Sequence, residues 1–183
     1  WTDGAEIPPA RDFPEVPRAK DSKVVQAADV IMQHGEAAIF LGGRALREGA
    51  LLQAGRIAEK TGARIVYETL PARLQRGVGR VAGERLPYFG EMALEHLSGF
   101  KQIIFVGSKP PVSFFAYPNK PSWLSPAAAN LVQLADAGAD SEDALYRLAE
   151  AVGAPKSPSN VQEPTKASFE KGPLTRESLG VII

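Results

Sequence analysis

Gly42-Gly43-Arg44, at the end of the apolar run 37–41, is the first place where residue types and spacing could do chemistry. Two glycines allow a tight turn and close approach of the backbone to a ligand, and a helix starting behind them would offer free N–H groups to an anion. Such an interaction is worth about 0.3–1 kcal/mol when exposed and up to about 2 kcal/mol when partly buried. The turn lacks the three glycines of the G-x-G-x-x-G dinucleotide fingerprint, so plain turn chemistry is the competing reading. Arg73, Arg76, Arg80 and Arg85 follow, interleaved with Gly77, Gly79 and Gly83. Guanidinium groups on a glycine-rich loop could clamp a pyrophosphate through paired hydrogen bonds, bridge to carboxylates on a neighbouring domain, or simply be solvated. Gly42, Gly43, Arg44, Arg73 and Arg76 together make the candidate nucleotide cleft.

A third loop, from Gly107 to Trp123, concentrates Pro110, Pro111, Phe114, Phe115, Tyr117, Pro118 and Pro121 beside Lys109. So many rings and prolines between two strands should be ordered. A flat ring system could stack there, but the same residues suit a contact between domains, which is the favoured reading. His34 and His96 each fall in the last turn of a predicted helix, where the helix dipole favours a cation, so a capping role outweighs catalysis. Neither has zinc-motif spacing, and the sequence holds no G-x-S-x-G elbow and no G-x-x-x-x-G-K-[ST] loop. The carboxylates show no spacing that nominates an acid–base pair. Taken alone, these residues name no reaction.

What must position these groups is an alternation of strands and helices. Val24, Ala27, Ala28 and Ile31 repeat at i, i+3, i+4, i+7 behind Asp21 or Ser22 as cap, predicting a helix that Gly35 ends. The run 37–41 predicts a strand buried on both faces. A helix over about 44–60 turns Leu46, Ala50, Ala54, Ile57 and Ala58 inward and stops at Gly62, and a strand follows at 64–68. Pro87 fits the first turn of a helix carrying Phe89, Ala93 and Leu97. Residues 102–106 form the clearest buried strand, and 130–134 a weaker one nearer an edge. A last helix, capped by Asp140 or Ser141, buries Ala144, Leu145, Leu148, Ala149 and Val152 and stops at Gly153. The pattern implies an α/β fold, a three-layer, doubly wound parallel sheet with helices on both faces. Open sheets of this kind bind ligands beyond the carboxyl ends of their strands.

Residues 1–20 carry Pro8, Pro9, Pro14 and Pro17 among charges, and a second proline-rich stretch, with Pro155, Pro158 and Pro164, begins after Gly153. Proline at that density predicts extended connectors. The expected layout is a linker at 1–20, a central α/β domain at 21–153, and a linker with the start of a following domain at 154–183. Thr175 to Leu179 reads as a capped helix start, and the apolar end Gly180-Val181-Ile182-Ile183 is expected to pack against further chain. A chain of 183 residues can close one core without staples. Lys plus Arg equals Asp plus Glu, 21 against 21, so no global field draws the chain to nucleic acid or to an anionic membrane. The lack of cysteine removes thiol catalysis, thiolate metal sites and disulfides, and agrees with the cytoplasm as the expected location. No apolar run nears the roughly 18 residues of a membrane span.

Four segments carry a resemblance: Phe40 to Leu46, Ala58 to Arg64, Arg85 to Phe89, and Phe114-Phe115-Ala116-Tyr117-Pro118. They resemble the central domain of thiamine-diphosphate enzymes, in particular acetolactate synthase large subunits, and the aromatic segment resembles a subgroup near benzoylformate decarboxylase. Trp1 is similar to the end of the family's pyrimidine-binding domain, and Pro173 to Ser178 is similar to the entry into its pyrophosphate-binding domain. The resemblance implies a Rossmann-like middle domain, noncatalytic by itself. It would link two cofactor-binding domains of a thiamine-diphosphate- and magnesium-dependent transferase or lyase acting on 2-oxo acids. It also implies the flanking domains as partners, a homo-oligomeric parent, and neither nucleic acid nor membrane as a partner.

The family's activating glutamate belongs to its first domain and its Gly-Asp-Gly…Asn-Asn magnesium motif to its last. Gly138-Ala139-Asp140 is the nearest string here, and no Asn-Asn pair occurs. Without that oxygen-rich site no cofactor is expected in this stretch itself. Some relatives place FAD or ADP in the central domain, so an ADP- or FAD-binding module at Gly42, Gly43, Arg44, Arg73 and Arg76 is the alternative expectation. Thr69-Leu70-Pro71-Ala72-Arg73 argues against a flavin, because flavin-dependent synthases carry small, glycine-rich residues there.

Overall fold

The computed structural model describes residues 9–33, 36–115 and 118–164, together with Gly4, Gly172, Thr175, Arg176, Ser178 and Leu179. Nine helices and strands make up the described body: α1 (Asp21–Ile31), β1 (Ala37–Leu41), α2 (Glu48–Thr61), β2 (Arg64–Tyr67), β3 (Glu84–Arg85), α3 (Gly90–Leu97), β4 (Gln102–Val106), β5 (Asn130–Ala135) and α4 (Ser141–Ala151). The five strands form one sheet in the order β3-β2-β1-β4-β5, and every pairing is parallel. β1 lies at the centre, with Ile39 opposite Ile65 on one side and Ile104 on the other.

Alternation along β1 and β4 builds two cores. Ile39, Leu41, Ile104 and Val106 face α1, α2 and α4, where they meet Val24, Ile31, Ala54, Ile57, Leu145 and Leu148. Ala38, Phe40, Ile103 and Phe105 face the other way and meet Ala93 and Leu97 of α3, with Phe100, Leu86 and Leu124. Phe40 and Phe105 touch at 5.4 Å between ring centroids. The body is therefore three-layered, and every residue of β1 and β4 is buried, as a sheet covered on both faces requires.

Strands β1 and β4 keep their expected bounds, β2 ends one residue early at Tyr67, and β5 sits at the sheet edge. Gly62 ends α2 with a left-handed φ of 75°, and Asp140 caps α4 by accepting a hydrogen bond from the Asp143 N–H at 3.0 Å. Four readings need correction. Lys20, not Asp21 or Ser22, stands at the N-cap of α1, because the Asp21 carboxylate is drawn to Arg147 at 2.7 Å. The helix expected from Arg44 starts at Glu48, after a 3₁₀ turn at Gly43–Leu46 and an extended Arg47. The Gln75 N–H donates to the Leu46 carbonyl at 3.1 Å, taking the acceptor a continuous helix would need. Pro87 does not open α3. The Leu86 N–H bonds to the Tyr67 carbonyl at 2.9 Å, so the chain stays extended until Phe89, which is the N-cap. The pairing that causes this, β3, is two residues long and was not expected at all. Gly35, expected to end α1, lies outside the described residues.

Both proline-rich stretches are fastened to the body. The Asp140 N–H donates to the Pro17 carbonyl at 2.9 Å, and Arg147 donates to the Ala19 carbonyl at 2.7 Å. For the second stretch, buried Arg56 donates to the Pro155 carbonyl, to Gln53 and to Glu150, each at 2.6 Å. Val161 bridges to Val81, and Gln162 exchanges backbone hydrogen bonds with Gly79 and Arg80. Near the carboxyl end the Ser178 N–H donates to the Thr175 hydroxyl at 3.1 Å, as a capped helix start does.

Candidate functional site

The carboxyl ends of β1 and β4 diverge at the point where the strand order reverses, the place where an open sheet takes a ligand. Here the chain itself fills that crevice. The Gly42 N–H donates to the Val106 carbonyl at 3.0 Å, and Gly43 turns with φ of 50°. The Gly43 N–H, the donor a bound anion would use, gives its hydrogen to Glu68 Oε1 at 2.9 Å. A Cβ on Gly42 would sit 2.7 Å from the Ser108 Cβ and 2.9 Å from the other Glu68 oxygen. Gly107, with φ of 67°, packs so tightly that a Cβ there would collide with the Gly42 carbonyl. Ser108 closes the floor by donating to the Phe40 carbonyl at 3.2 Å, and its own carbonyl accepts from Gln133 at 2.9 Å.

The next donors are covered in the same way. The Glu48 N–H, first in α2, donates to the Gln75 side chain, and the Glu142 carboxylate packs against Gly49. Gln75 thereby lays the arginine loop across the 3₁₀ turn, bringing the segment that carries Arg73 and Arg76 beside the one that carries Arg44. Arg44, Arg73, Arg76 and Arg85 are exposed, and no ion pair joins them to another described residue. Arg80 differs: it pairs with Glu48 at 3.0 Å and belongs to the body. Arg44 and Arg47 also line a small cavity of about 200 Å³ with Asp140, Ser141 and Glu142. Cleft residues expected from sequence thus lie on adjoining segments, but a carboxylate already holds the Gly43 N–H. A diphosphate using that donor would have to displace Glu68.

Glu68 was missed by sequence reasoning, which took it as the last residue of β2. Its position carried a signal. An acidic side chain directly after a buried parallel strand must lie at the ligand-binding end of the sheet, beside the neighbouring strand's turn.

The aromatic loop forms a second site at the same end. Val112 and Trp123 make an antiparallel bridge, the Ser113 N–H donates to the Ser122 carbonyl at 2.7 Å, and the Leu124 N–H donates to the Pro111 carbonyl at 3.2 Å. The Ser113 hydroxyl donates to the Pro121 carbonyl at 2.7 Å, so the loop is pinned at several levels. Tyr88 meets Phe89 at 5.5 Å and Phe114 at 5.8 Å, and Phe114 meets Phe115 at 4.8 Å between centroids. These rings, with Gly90 and Pro121, enclose an open cavity of about 300 Å³. At its rim Lys120 pairs with Glu91 and, by that hydrogen bond, holds the Glu91 carboxyl below its usual range. Ala116 and Tyr117 lie outside the described residues.

His96 sits in the last turn of α3 with Nε2 3.5 Å from Glu84. Glu84 also takes both hydrogen bonds from Arg64, which is the main reason its carboxyl is held below the usual range. This cluster ties β2, β3 and α3 together. His34 lies outside the described residues. Among the described residues no group of three or more His, Cys, Asp or Glu could hold a metal ion, and no helix is long and apolar enough to cross a membrane.

No protein-family model matches the chain. Over all 183 residues it is 39% identical to a Mycobacterium tuberculosis protein provisionally named acetolactate synthase large subunit IlvX, and it spans 35% of that relative's length. Among the solved structures that share the fold are the following three. One, from Mycobacterium smegmatis, is provisionally described as a thiamin diphosphate-dependent enzyme; it is 23% identical with a TM-score of 0.60, over 91% of this chain and 34% of that one. The 4-hydroxybenzoylformate decarboxylase of Rhodococcus jostii RHA1, described as thiamine diphosphate-dependent, is 20% identical with a TM-score of 0.61, over 93% and 35%. The benzoylformate decarboxylase of Polynucleobacter necessarius is 16% identical with a TM-score of 0.61, over 93% and 34%. The chain is thus homologous to about a third of an acetolactate synthase-like polypeptide and has the fold of one domain of such enzymes.

Proposed function

We propose that this chain acts as the noncatalytic middle domain of a thiamine-diphosphate- and magnesium-dependent enzyme that cleaves or joins 2-oxo acids, linking the two domains that hold the cofactor. One observation carries the reading: the alignment runs through the whole chain yet takes up only 35% of the relative. A free-standing enzyme on this fold would need a catalytic constellation, and the described residues offer none with matched donors. The cofactor supplies carbanion chemistry when bound elsewhere in the parent, and the part left to this domain is orientation and contact surface. No step of the reaction is assigned to the described residues, among which no group of three or more His, Cys, Asp or Glu gathers.

The alternative, an ADP- or FAD-binding module at Gly42, Gly43, Arg44, Arg73 and Arg76, is supported by the exposed arginines and opposed by Glu68 at the glycine turn. The coding sequence on either side tests the main reading. It is expected to encode an activating glutamate upstream and a Gly-Asp-Gly…Asn-Asn motif downstream. A reading frame that closes near Trp1 and Ile183 would overturn it.

A further inference from the structure

We propose that residues 17–19 are a releasable latch: the incoming connector unclips from α4 when its exposed charges are screened, while the outgoing connector stays fastened. Different contacts hold the two. On the incoming side Arg18, with a side chain 67% exposed, donates to both Asp143 oxygens at 3.2 and 2.6 Å. Asp21 and Asp140 also attract its guanidinium. Arg147 donates to the Ala19 carbonyl and to Asp21, whose side chain is 97% exposed. The Asp140 N–H completes the set by donating to the Pro17 carbonyl at 2.9 Å. Ala19 packs against the core, but Pro17, Ala19 and Lys20 share the lining of a cavity of about 450 Å³ with Gln133, Ala135 and Asp136, so little of this connector is close-packed. The outgoing side is anchored by Arg56, whose side chain is only 8% exposed where it reaches the Pro155 carbonyl. Beyond it Val161 bridges to Val81, and Gln162 exchanges backbone hydrogen bonds with Gly79 and Arg80.

Exposed ion pairs contribute little and are screened by salt, over a length of about 10 Å at 0.1 M and about 3 Å at 1 M. Backbone pairing and a buried guanidinium are far less sensitive, so salt acts on one connector and spares the other. Few buried apolar contacts place the latch among the segments that open without unfolding the body. The fold also sets where opening stops. The Lys20 carbonyl accepts the Lys23 and Val24 N–H groups at the start of α1, so release ends there and the helix is kept. Three freed residues in extended form add up to about 10 Å to the reach of the incoming chain. The connector thus has two lengths, docked and free, whereas the outgoing one has a single length.

Amide hydrogen exchange read by NMR on the 183-residue chain tests this, because one amide reports on each part. The Asp140 N–H reports on the latch, the Ala144 N–H, which donates to the Asp140 carbonyl, on α4 itself, and the Gln162 N–H, which donates to the Arg80 carbonyl, on the outgoing fastening. Arg18→Gln, an exposed change that leaves the core untouched, is expected to speed exchange at Asp140 roughly twofold to fivefold, as loss of one such pair would. Raising sodium chloride from about 0.05 M to about 1 M is expected to speed Asp140 in the unmodified chain by at least as much, because it screens both pairs. Ala144 and Gln162 keep their rates in both comparisons and correct for any effect of salt on exchange itself. An Asp140 rate that ignores either change would overturn the latch. Equal acceleration at Ala144 would mean that α4 frays instead, and equal acceleration at Gln162 that the connectors do not differ. Either of those results would overturn the proposal too.

Discussion

The Glu68 carboxylate accepts the Gly43 N–H at 2.9 Å, joining the end of β2 to the turn that follows β1. The contact spends on an internal partner the one donor best placed to greet an anion. Calorimetric titration with millimolar ADP, FAD or NAD should therefore show no binding to the unmodified chain. Glu68→Ala removes a charge-assisted bond at a half-buried position and should cost about 1–2 kcal/mol in urea denaturation. If the carboxylate is what fills the crevice, the same variant should gain a measurable response to ADP. Binding of ADP by the unmodified chain would show instead that Glu68 yields to, or helps hold, a nucleotide.

Gly107→Ala should be among the most damaging small changes in the chain. Its φ of 67° is costly for alanine, and the new methyl would collide with the Gly42 carbonyl, which is backbone and cannot swing away. Strain and overpacking together suggest a loss of about 3 kcal/mol. Gly153→Ala is the control: it shares a left-handed φ of 64° but meets nothing within 4 Å, so about 1 kcal/mol is expected. Similar losses for the two variants would mean that the strand ends are not packed as described.

Arg56→Ala should cost about 2–3 kcal/mol, because it leaves the Pro155 carbonyl and the Gln53 side chain without their donor. The pair with Glu150 adds less, since that carboxylate is half exposed. Faster hydrogen exchange across 154–162 should accompany the loss. A stability change with no change in exchange there would separate the arginine from the connector.

Acid should weaken the α4 end. The hydrogen bond from Arg18, joined by the charge of Arg147, holds the Asp143 carboxyl below its usual range. Because the folded pKa is the lower one, this stabilisation is fully present above the unfolded value near about 4 and is lost progressively as pH falls from there through the lower folded value. Asp143→Asn should flatten the fall of stability between about pH 5 and 3. An unchanged slope would assign acid sensitivity elsewhere, with Glu84 beside Arg64 the next candidate.

Continuous apolar runs made β1 and β4 legible, because a strand buried on both faces is almost wholly apolar, with Gln102 at the start of β4 as the exception. Asp140 was legible as a cap, since its carboxylate serves a donor three residues away. The misread features depend on partners distant in sequence. α2 starts at Glu48 only because Gln75 reaches back to it, and β3 exists only because Tyr67 lies alongside. Glu68 was invisible for the same reason: its meaning is set by Gly43, which the fold, not the spacing, brings to it. The exposed rings were readable as a cluster, and their contacts with Tyr88 and Phe89 needed the topology.

Helix α4 receives the incoming chain through Arg18 and Arg147 and the outgoing chain through Glu150 and Arg56. A pull on the incoming side loads this rod directly, and one on the outgoing side reaches it after the Val161–Val81 bridge and the Gln162 hydrogen bonds have given way. Tension would run from residues 17–19 to residue 155 along one face, past the sheet instead of across it. The central strands, and the closed crevice at their ends, would be spared shear whenever whatever lies beyond those two anchor points moves.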